Sequence, residues 1–476
     1  MDQVRSFTRP FWVANIMEML ERLAYYGVRV VIPIYIASAE DPAGLHFTHT
    51  QKGTIFAWWA LMQCLLPIFT GGFADRYGYK KTIAASITLK IVGYILMATQ
   101  REFGMFLVGC LTLAAGTAIF KPGVQGTLVQ GLNRNNSSVG WGFFYQVVNI
   151  GGFLGPPLAG FLHALSWPHV FYGCAIIVSL NYISLFTYKE VDSGGGVRGS
   201  PWEVIKLTMV EFFRPRLLLF IGIMSGFWLM LNQLWDMLPN FIEDWVDTSG
   251  IVAALGLNAG MMVAETARGL QIKQEWLINL NPGLIVVFMI PVAALVARIR
   301  RLTSIVLGIL LAALGLVVSG YTMSGAMCLF GIFLFSFGEM ISSPKMNEYL
   351  AIIAPPGKKA LYLGYANMPM AIGWAYGSYM GGKIYDTLGD KAFLALRYLR
   401  ENVGMAADAV DKIKRTDAIS VLQTTLGKSP VEVTTLLWNT YHPYKLWYLF
   451  TAIGVVAAIG MMIYSQLAKK WANYEA

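Results

Sequence analysis

The sequence predicts an all-α polytopic membrane protein with twelve transmembrane helices in two six-helix bundles and an outer-face insertion before the last helix. Three observations carry that expectation. Of 476 residues, 56% are hydrophobic and 13% charged, and the mean hydropathy is +0.54, outside the composition of soluble domains. Apolar runs long enough to cross a bilayer recur at 11–37, 51–73, 79–99, 103–130, 138–164, 169–187, 215–243, 276–297, 302–321, 325–352, 358–386 and 444–468. Finally, Lys and Arg concentrate in alternate connections between those runs.

That alternation sets the expected orientation. One set of connections holds Arg5 and Arg9, then Arg76, Lys80 and Lys81, then Arg134, Lys189, Arg198, Lys206, Arg298, Arg300, Arg301, Lys358, Lys359, Lys469 and Lys470. The intervening short loops are nearly free of basic residues, so both termini are expected in the cytoplasm. The net charge of +9 then reflects topology, and no nucleic-acid partner is expected. The N-terminus is short and polar, and no cleavable signal is evident. Residues 1–187 are expected to form the first bundle and 215–476 the second. The linker 188–214 joins them through the Gly/Ser-rich run SGGGVRGSP.

Two outer segments lie outside this plan. The loop 247–275 is expected to hold a short helix around 251–268. The insertion 388–443 has helical periodicity over 393–403 and 407–426 and reads as a solvated structural cap. Cys64, Cys110, Cys174 and Cys328 all fall inside apolar runs and are expected to be free packing thiols. All five histidines lie in or beside loops, so none is the expected intramembrane proton carrier.

The first span is where chemistry concentrates. At about 100° per residue, Glu18, Arg22, Tyr25 and Arg29 form one stripe, with Glu21 and Tyr26 at its edges. A charge at the bilayer centre costs about 2.5–3.5 kcal/mol even on mild scales. The stripe must therefore face protein or water, and Glu18 is placed to pair with Arg22 at i,i+4. It reads either as an ion network that holds helices together or as a path for protons and substrate. Lys121, in the apolar fourth span beside Pro122, needs a carboxylate partner, loses its proton or snorkels to an interface. Glu18 and Glu21 are the expected partners. Glu339 stands isolated in the tenth span and is a candidate for a substrate amine, opposite Arg29 and Lys121 for a substrate carboxylate.

Several motifs point to a family. Gly71-Gly-Phe-Ala-Asp75-Arg76-Tyr-Gly78-Tyr-Lys80-Lys81 resembles the loop between the second and third helices of the major facilitator superfamily, in which Asp75 and Arg76 would form a conformational latch. The run E-x-x-E-R-L-A-Y-Y-G-V-R from Glu18 resembles the signature of proton-dependent oligopeptide transporters. Phe120-Lys121-Pro122, Phe144-Tyr145-Gln-Val-Val-Asn149, Trp276-Leu-Ile-Asn-Leu-Asn281-Pro282 and Gly338-Glu339-Met-Ile-Ser342-Ser343-Pro344 resemble further motifs of that family in the same order. The resemblance implies a major facilitator fold. It implies proton coupling by Glu18, Glu21, Arg22 and Lys121. It also implies substrate contacts from Arg29, Lys121 and Asn149 toward a carboxyl end and from Glu339 and Asn281 toward an amino end, with Tyr25 and Tyr26 lining the site. For Asn149 and Asn281 the alternative is interhelical hydrogen bonding worth about 0.6–2 kcal/mol.

The chain departs from that pattern in the seventh span, where Asn232, also a candidate substrate contact, stands in the place of a Glu that pairs with the first-helix Arg. Either Asp236, one turn on, substitutes for it, or Arg29 is freed for an anionic ligand. Lys345 and Glu348 are placed to pair at i,i+3.

No Walker loop, nucleophile–base pair or metal-ligand cluster is visible, so neither an enzyme nor an ATP-driven pump is expected. The sequence therefore predicts a secondary transporter in the bacterial inner membrane, powered by the proton gradient without a cofactor, working as a monomer on a small-molecule substrate. The expected activity is symport of small peptides or of peptide-like or amino-acid-like solutes by alternating access. A non-peptide organic anion, or proton antiport of siderophore- or drug-like compounds, are the alternatives.

Overall fold

The computed structural model describes residues 6–133, 136–191, 210–355 and 359–470. Most of the linker 188–214 lies outside those residues, as do Arg134, Lys358 and the Asp75 side chain.

The first half comprises α1 (Arg9–Ala37), α2 (His49–Tyr77), α3 (Tyr79–Thr99), α4 (Phe103–Val129), α5 (Ser137–His163) and α6 (Trp167–Phe186). Local chemistry sets the ends. Pro10 opens α1, and Thr48 with Gln51 forms a capping box at α2. Gly78 alone joins α2 to α3 at φ 95°, a conformation only glycine adopts without strain. Without that turn, the basic residues after it would not fold back against Glu190, which accepts from Lys80 N at 3.2 Å.

In the second half the helices are interrupted. The seventh span is α7 (Pro215–Leu231), α8 (Gln233–Asp236) and α9 (Leu238–Trp245). The eighth is α11 (Gln274–Ile278) and α12 (Leu280–Val296). The eleventh is α15 (Lys359–Gly364) and α16 (Asn367–Leu388). Around the first break, Asn232 and Gln233 donate to the carbonyls of Trp228 and Leu229 at 2.7 Å each. Breaks at membrane depth survive only where side chains or a water-lined cavity satisfy the freed backbone. The continuous helices are α13 (Arg301–Gly320), α14 (Gly325–Ile353) and α21 (Leu446–Lys470). Among the described residues, eight helical stretches are long and apolar enough to cross a membrane by length and composition, α3, α4, α6 and the α7–α8 pair among them.

Close helix approach comes from small residues. Gly308 and Gly315 on α13 face Gly331 and Gly338 on α14, and a Cβ on Gly315 would lie 2.3 Å from Phe335 N. Such stripes replace the hydrophobic driving force that lipid removes. One apolar core draws on α1–α6 plus Ala371, Trp374 and Ala375 of α16. The other draws on residues after 210 plus Val30 of α1. The exchanged residues mark where the halves touch.

Two outer segments differ from expectation. The loop 247–275 carries only a short helix, α10 (Ser249–Leu255), which stops at left-handed Gly256. It is followed by a hairpin of β1 (Val263–Thr266) and β2 (Gly269–Ile272), turned at Gly269 with φ 92°. Alternating side chains and a glycine able to take positive φ outweigh helical periodicity there. In the insertion, α17 (Lys391–Glu401) stands where a helix is expected over 393–403, whereas α18 (Ala407–Val410) and α19 (Ala418–Leu426) split the expected run 407–426 and α20 (Pro430–Tyr441) follows them. The run 407–426 breaks because Arg415 turns inward to Ala37 O at 2.8 Å and Phe47 O at 3.1 Å. Nor is the cap simply solvated: Leu394, Leu399, Val410, Leu422, Val433 and Leu437 are buried in the second core.

Candidate functional site

The α1 stripe is buried in protein: Glu18, Glu21, Arg22 and Arg29 are each almost fully enclosed. Arg22 bridges both acids, with Nε 3.2 Å from Glu18 and an ion pair to Glu21. The lysine that completes the cluster is Lys90 of α3, whose Nζ donates to Glu21 Oε1 at 2.7 Å and lies 3.8 Å from the Phe120 ring centroid. This corrects the expectation that Lys121 would pair with Glu18 or Glu21. The missed signal is Lys90 itself, a lone ammonium in an apolar third span, with only α1 carboxylates close enough to hold it. Lys121 is half-buried and makes no ion pair among the described residues. It interacts with Arg22, Glu18 and Glu21 at longer range. Two carboxylates thus meet three basic side chains, and Lys121 is the one without an ion pair among the described residues.

Glu339 is not isolated, as the sequence suggested. Asn281 Nδ2 donates to its Oε2 at 3.0 Å and to Ser336 Oγ at 3.0 Å. These three residues form the polar group of the second half. Tyr26 reaches the second half, with its ring centroid 5.7 Å from that of Trp235. Tyr145, 45% exposed, interacts with both Tyr26 and Glu339. Asn149 is half-buried and donates within its own helix to Tyr145 O at 2.8 Å. Tyr25, in contrast, turns into the first half, where it accepts from Gln63 Nε2 at 3.2 Å and carries Arg22 over its ring at 4.9 Å.

At the end of the molecule that carries the insertion, the halves are locked together. Arg29 pairs with Asp236 of α8 and donates to Trp235 O at 3.3 Å. Its guanidinium lies 4.7 Å from the Phe56 ring and 5.1 Å from Trp374. Asp236 therefore takes the role that Asn232 lacks, and Arg29 is not free for a ligand in this conformation. Asn232 faces its own helix. Lys52 Nζ donates to Asp236 O at 2.7 Å and Asn240 Oδ1 at 2.6 Å. The Asp386 carboxylate at the end of α16 accepts from His49 N and Thr50 N of α2 at 2.7 Å each, a helix N-cap supplied by the other half. Toward the opposite end, Lys345 pairs with Glu348 at 2.8 Å as expected, and Arg76 is exposed.

The sequence model of the Major Facilitator Superfamily matches residues 15–378. The chain belongs to that superfamily. Among curated relatives, it is 24% identical over 373 residues to the multidrug resistance protein MdtH of Edwardsiella ictaluri, covering 76% of this chain and 84% of that protein. It is 26% identical over 185 residues to the peptide transporter YePEPT of Yersinia enterocolitica, covering 37% of this chain and 36% of the relative. The quinolone resistance protein NorA of Staphylococcus aureus is 24% identical, over 41% of this chain and 51% of its own length. Among solved structures, a POT family transporter bound to a thioalcohol-conjugated peptide superposes with a TM-score of 0.69 at 16% identity, covering 99% of this chain and all of that one. The POT family transporter PepTSo gives 0.68 at 15% identity, covering 98% and 99%. A mutant of the nucleoside transporter NupG gives 0.70 at 12%, covering 96% and 99%. The fold is thus the major facilitator fold, shared with the POT transporters, and relatives and fold alike are those of transporters.

Proposed function

We propose that this major facilitator protein is an atypical proton-dependent oligopeptide transporter that imports peptide-like or amino-acid-like solutes with protons. The observation that carries the reading is the charge arrangement between the halves. Lys121 supplies a basic group with no ion pair among the described residues, near Glu18, Glu21 and Arg22. Glu339, held by Asn281, supplies the acid in the other half, and Tyr26 of the first half meets Trp235 of the second. A zwitterion spanning such a gap touches both bundles at once. A carboxylate shared by Arg22 and Lys90 takes up a proton when that sharing breaks, and this links protonation to rocking of the halves. The reading places both termini in the cytoplasm, so the Arg29–Asp236 side faces outward and the conformation is closed to the exterior. It takes the protein as a monomer in the bacterial inner membrane, with residues 1–187 and 215–476 as the two bundles.

The test is uptake of radiolabelled dialanine into proteoliposomes under an imposed inward proton gradient. Accumulation above equilibrium supports the reading. Gradient-driven loss of preloaded solute instead supports proton antiport, the second reading, which the long match to MdtH favours.

A further inference from the structure

Beneath the insertion lies a cavity of about 570 Å³, a size that suits a small organic ligand. Its walls come from both halves: the end of α1, the α5–α6 turn, α9, the hairpin, α11 and the insertion helices α17, α19 and α20. The exposed hairpin residues Glu265 and Thr266 and the exposed Thr416 and Ser420 lie at its mouth.

The charged groups facing it are mostly accounted for. Glu40 pairs with Lys391. Asp41 accepts from Trp167 Nε1 at 2.6 Å and lies 4.0 Å from His163. The Arg268 guanidinium donates to the main-chain carbonyls of Val246, at 3.2 Å, and Glu243. Glu265 is solvated at the rim, and Lys273 is half-buried. That leaves the carboxylates of Glu243 and Glu275, neither with an ion pair among the described residues. Glu275 is 4% exposed, and its Oε1 has no hydrogen-bond partner. That oxygen projects from the second half onto α5, where a Cβ on Gly160 would come within 2.9 Å of it. A buried carboxylate oxygen in this position is costly unless a cation or proton meets it.

We propose that this outer vestibule binds an organic ammonium ion, its charge set between Glu243 and Glu275 and its apolar body against Trp167, Ile34 and Val31. The geometry favours an organic ammonium over a bare metal ion, because the cavity is large and partly apolar and, among the described residues, offers only Glu243 and Glu275 as uncommitted carboxylates away from the solvated rim. The site is independent of the central charges of the proposed function.

The test is isothermal titration of phenethylamine at neutral pH, where it is cationic, into the purified full chain carrying Glu339→Gln, which removes the central acid. Saturable binding is expected, with none of the matching anion 3-phenylpropionate. Adding Glu243→Gln and Glu275→Gln together is expected to weaken binding at least about tenfold, or ~1.4 kcal/mol. Lys273→Ala, which removes a like charge from the wall, is expected to tighten it, a gain that misfolding does not mimic. The proposal is overturned if phenethylamine shows no binding at about 10 mM, weaker than the millimolar range of the feeblest specific ligands. Equal affinity for the anion overturns it too, as does unchanged affinity in the Glu243/Glu275 double variant, since either would mean that protons alone satisfy these acids.

Discussion

Lys90 is fully buried in α3 and holds Glu21 from the side opposite Arg22. Removing one partner of a buried pair leaves an uncompensated charge, at a typical cost of about 3–5 kcal/mol. Lys90→Ala is therefore expected to lower the melting temperature of purified protein sharply, and Glu21→Gln in the same background to restore much of the loss. Unchanged melting of Lys90→Ala would show that Arg22 alone satisfies Glu21. On the functional reading, Glu21→Gln by itself abolishes proton-driven accumulation while counterflow exchange stays measurable; concentrative uptake by that variant contradicts the coupling role. Glu339→Ala is expected to impair amine-bearing solutes more than anions in competition assays, because Asn281 alone offers no charge.

Among the elements, α13 and α14 pack backbone to backbone along four glycines. A leucine at Gly315 has no room beside Phe335 and Gly331, and overpacking at such a contact typically costs about 1–3 kcal/mol. Gly315→Leu is expected to melt earlier than Gly222→Leu, since Gly222 meets nothing within 4 Å. Equal melting of the two would remove the close approach as a stabilising feature. The insertion is tied to the first half through Glu40 and Lys391. Burial pushes the Glu40 carboxyl up, but Lys391 and Arg268 outweigh that and hold it below the ordinary carboxylate range. A depressed value stabilises the folded form above the unfolded value of about 4.3, and this contribution fades as pH falls through the folded value. The melting difference between wild type and Glu40→Gln is expected at neutral pH and should vanish in acid; a constant difference would mean the contact is not ionic.

For the whole molecule, the cross-half contacts on the insertion side include Arg29 with Asp236, Lys52 with Asn240, Asp386 on the start of α2, Glu40 with Lys391, and Arg415 on the carbonyls of Ala37 and Phe47. On the functional reading, alternating access requires them to part together. Asp386→Ala removes the acceptor for two main-chain donors and is expected to shift the population toward opening on that side. Spin labels on the two halves at the insertion side should then report a longer distance distribution, and an unchanged distribution would show that Asp386 does not hold the gate.

The hydropathy pattern and the in-order motifs made the architecture readable because lipid imposes a strong one-dimensional rule: apolar for the length of a span, basic at alternate ends. The Glu18–Arg22 and Lys345–Glu348 pairs were readable for a similar reason, since helical spacing fixes neighbours within four residues. Which lysine meets Glu21, that Asn281 reaches Glu339, that Arg29 is held by Asp236 rather than freed for a ligand, and that Arg415 reaches back to Ala37 all depend on how helices far apart in sequence are set side by side. Those pairings are fixed by packing and by the need to satisfy each buried charge, and periodicity along one helix does not encode its neighbours.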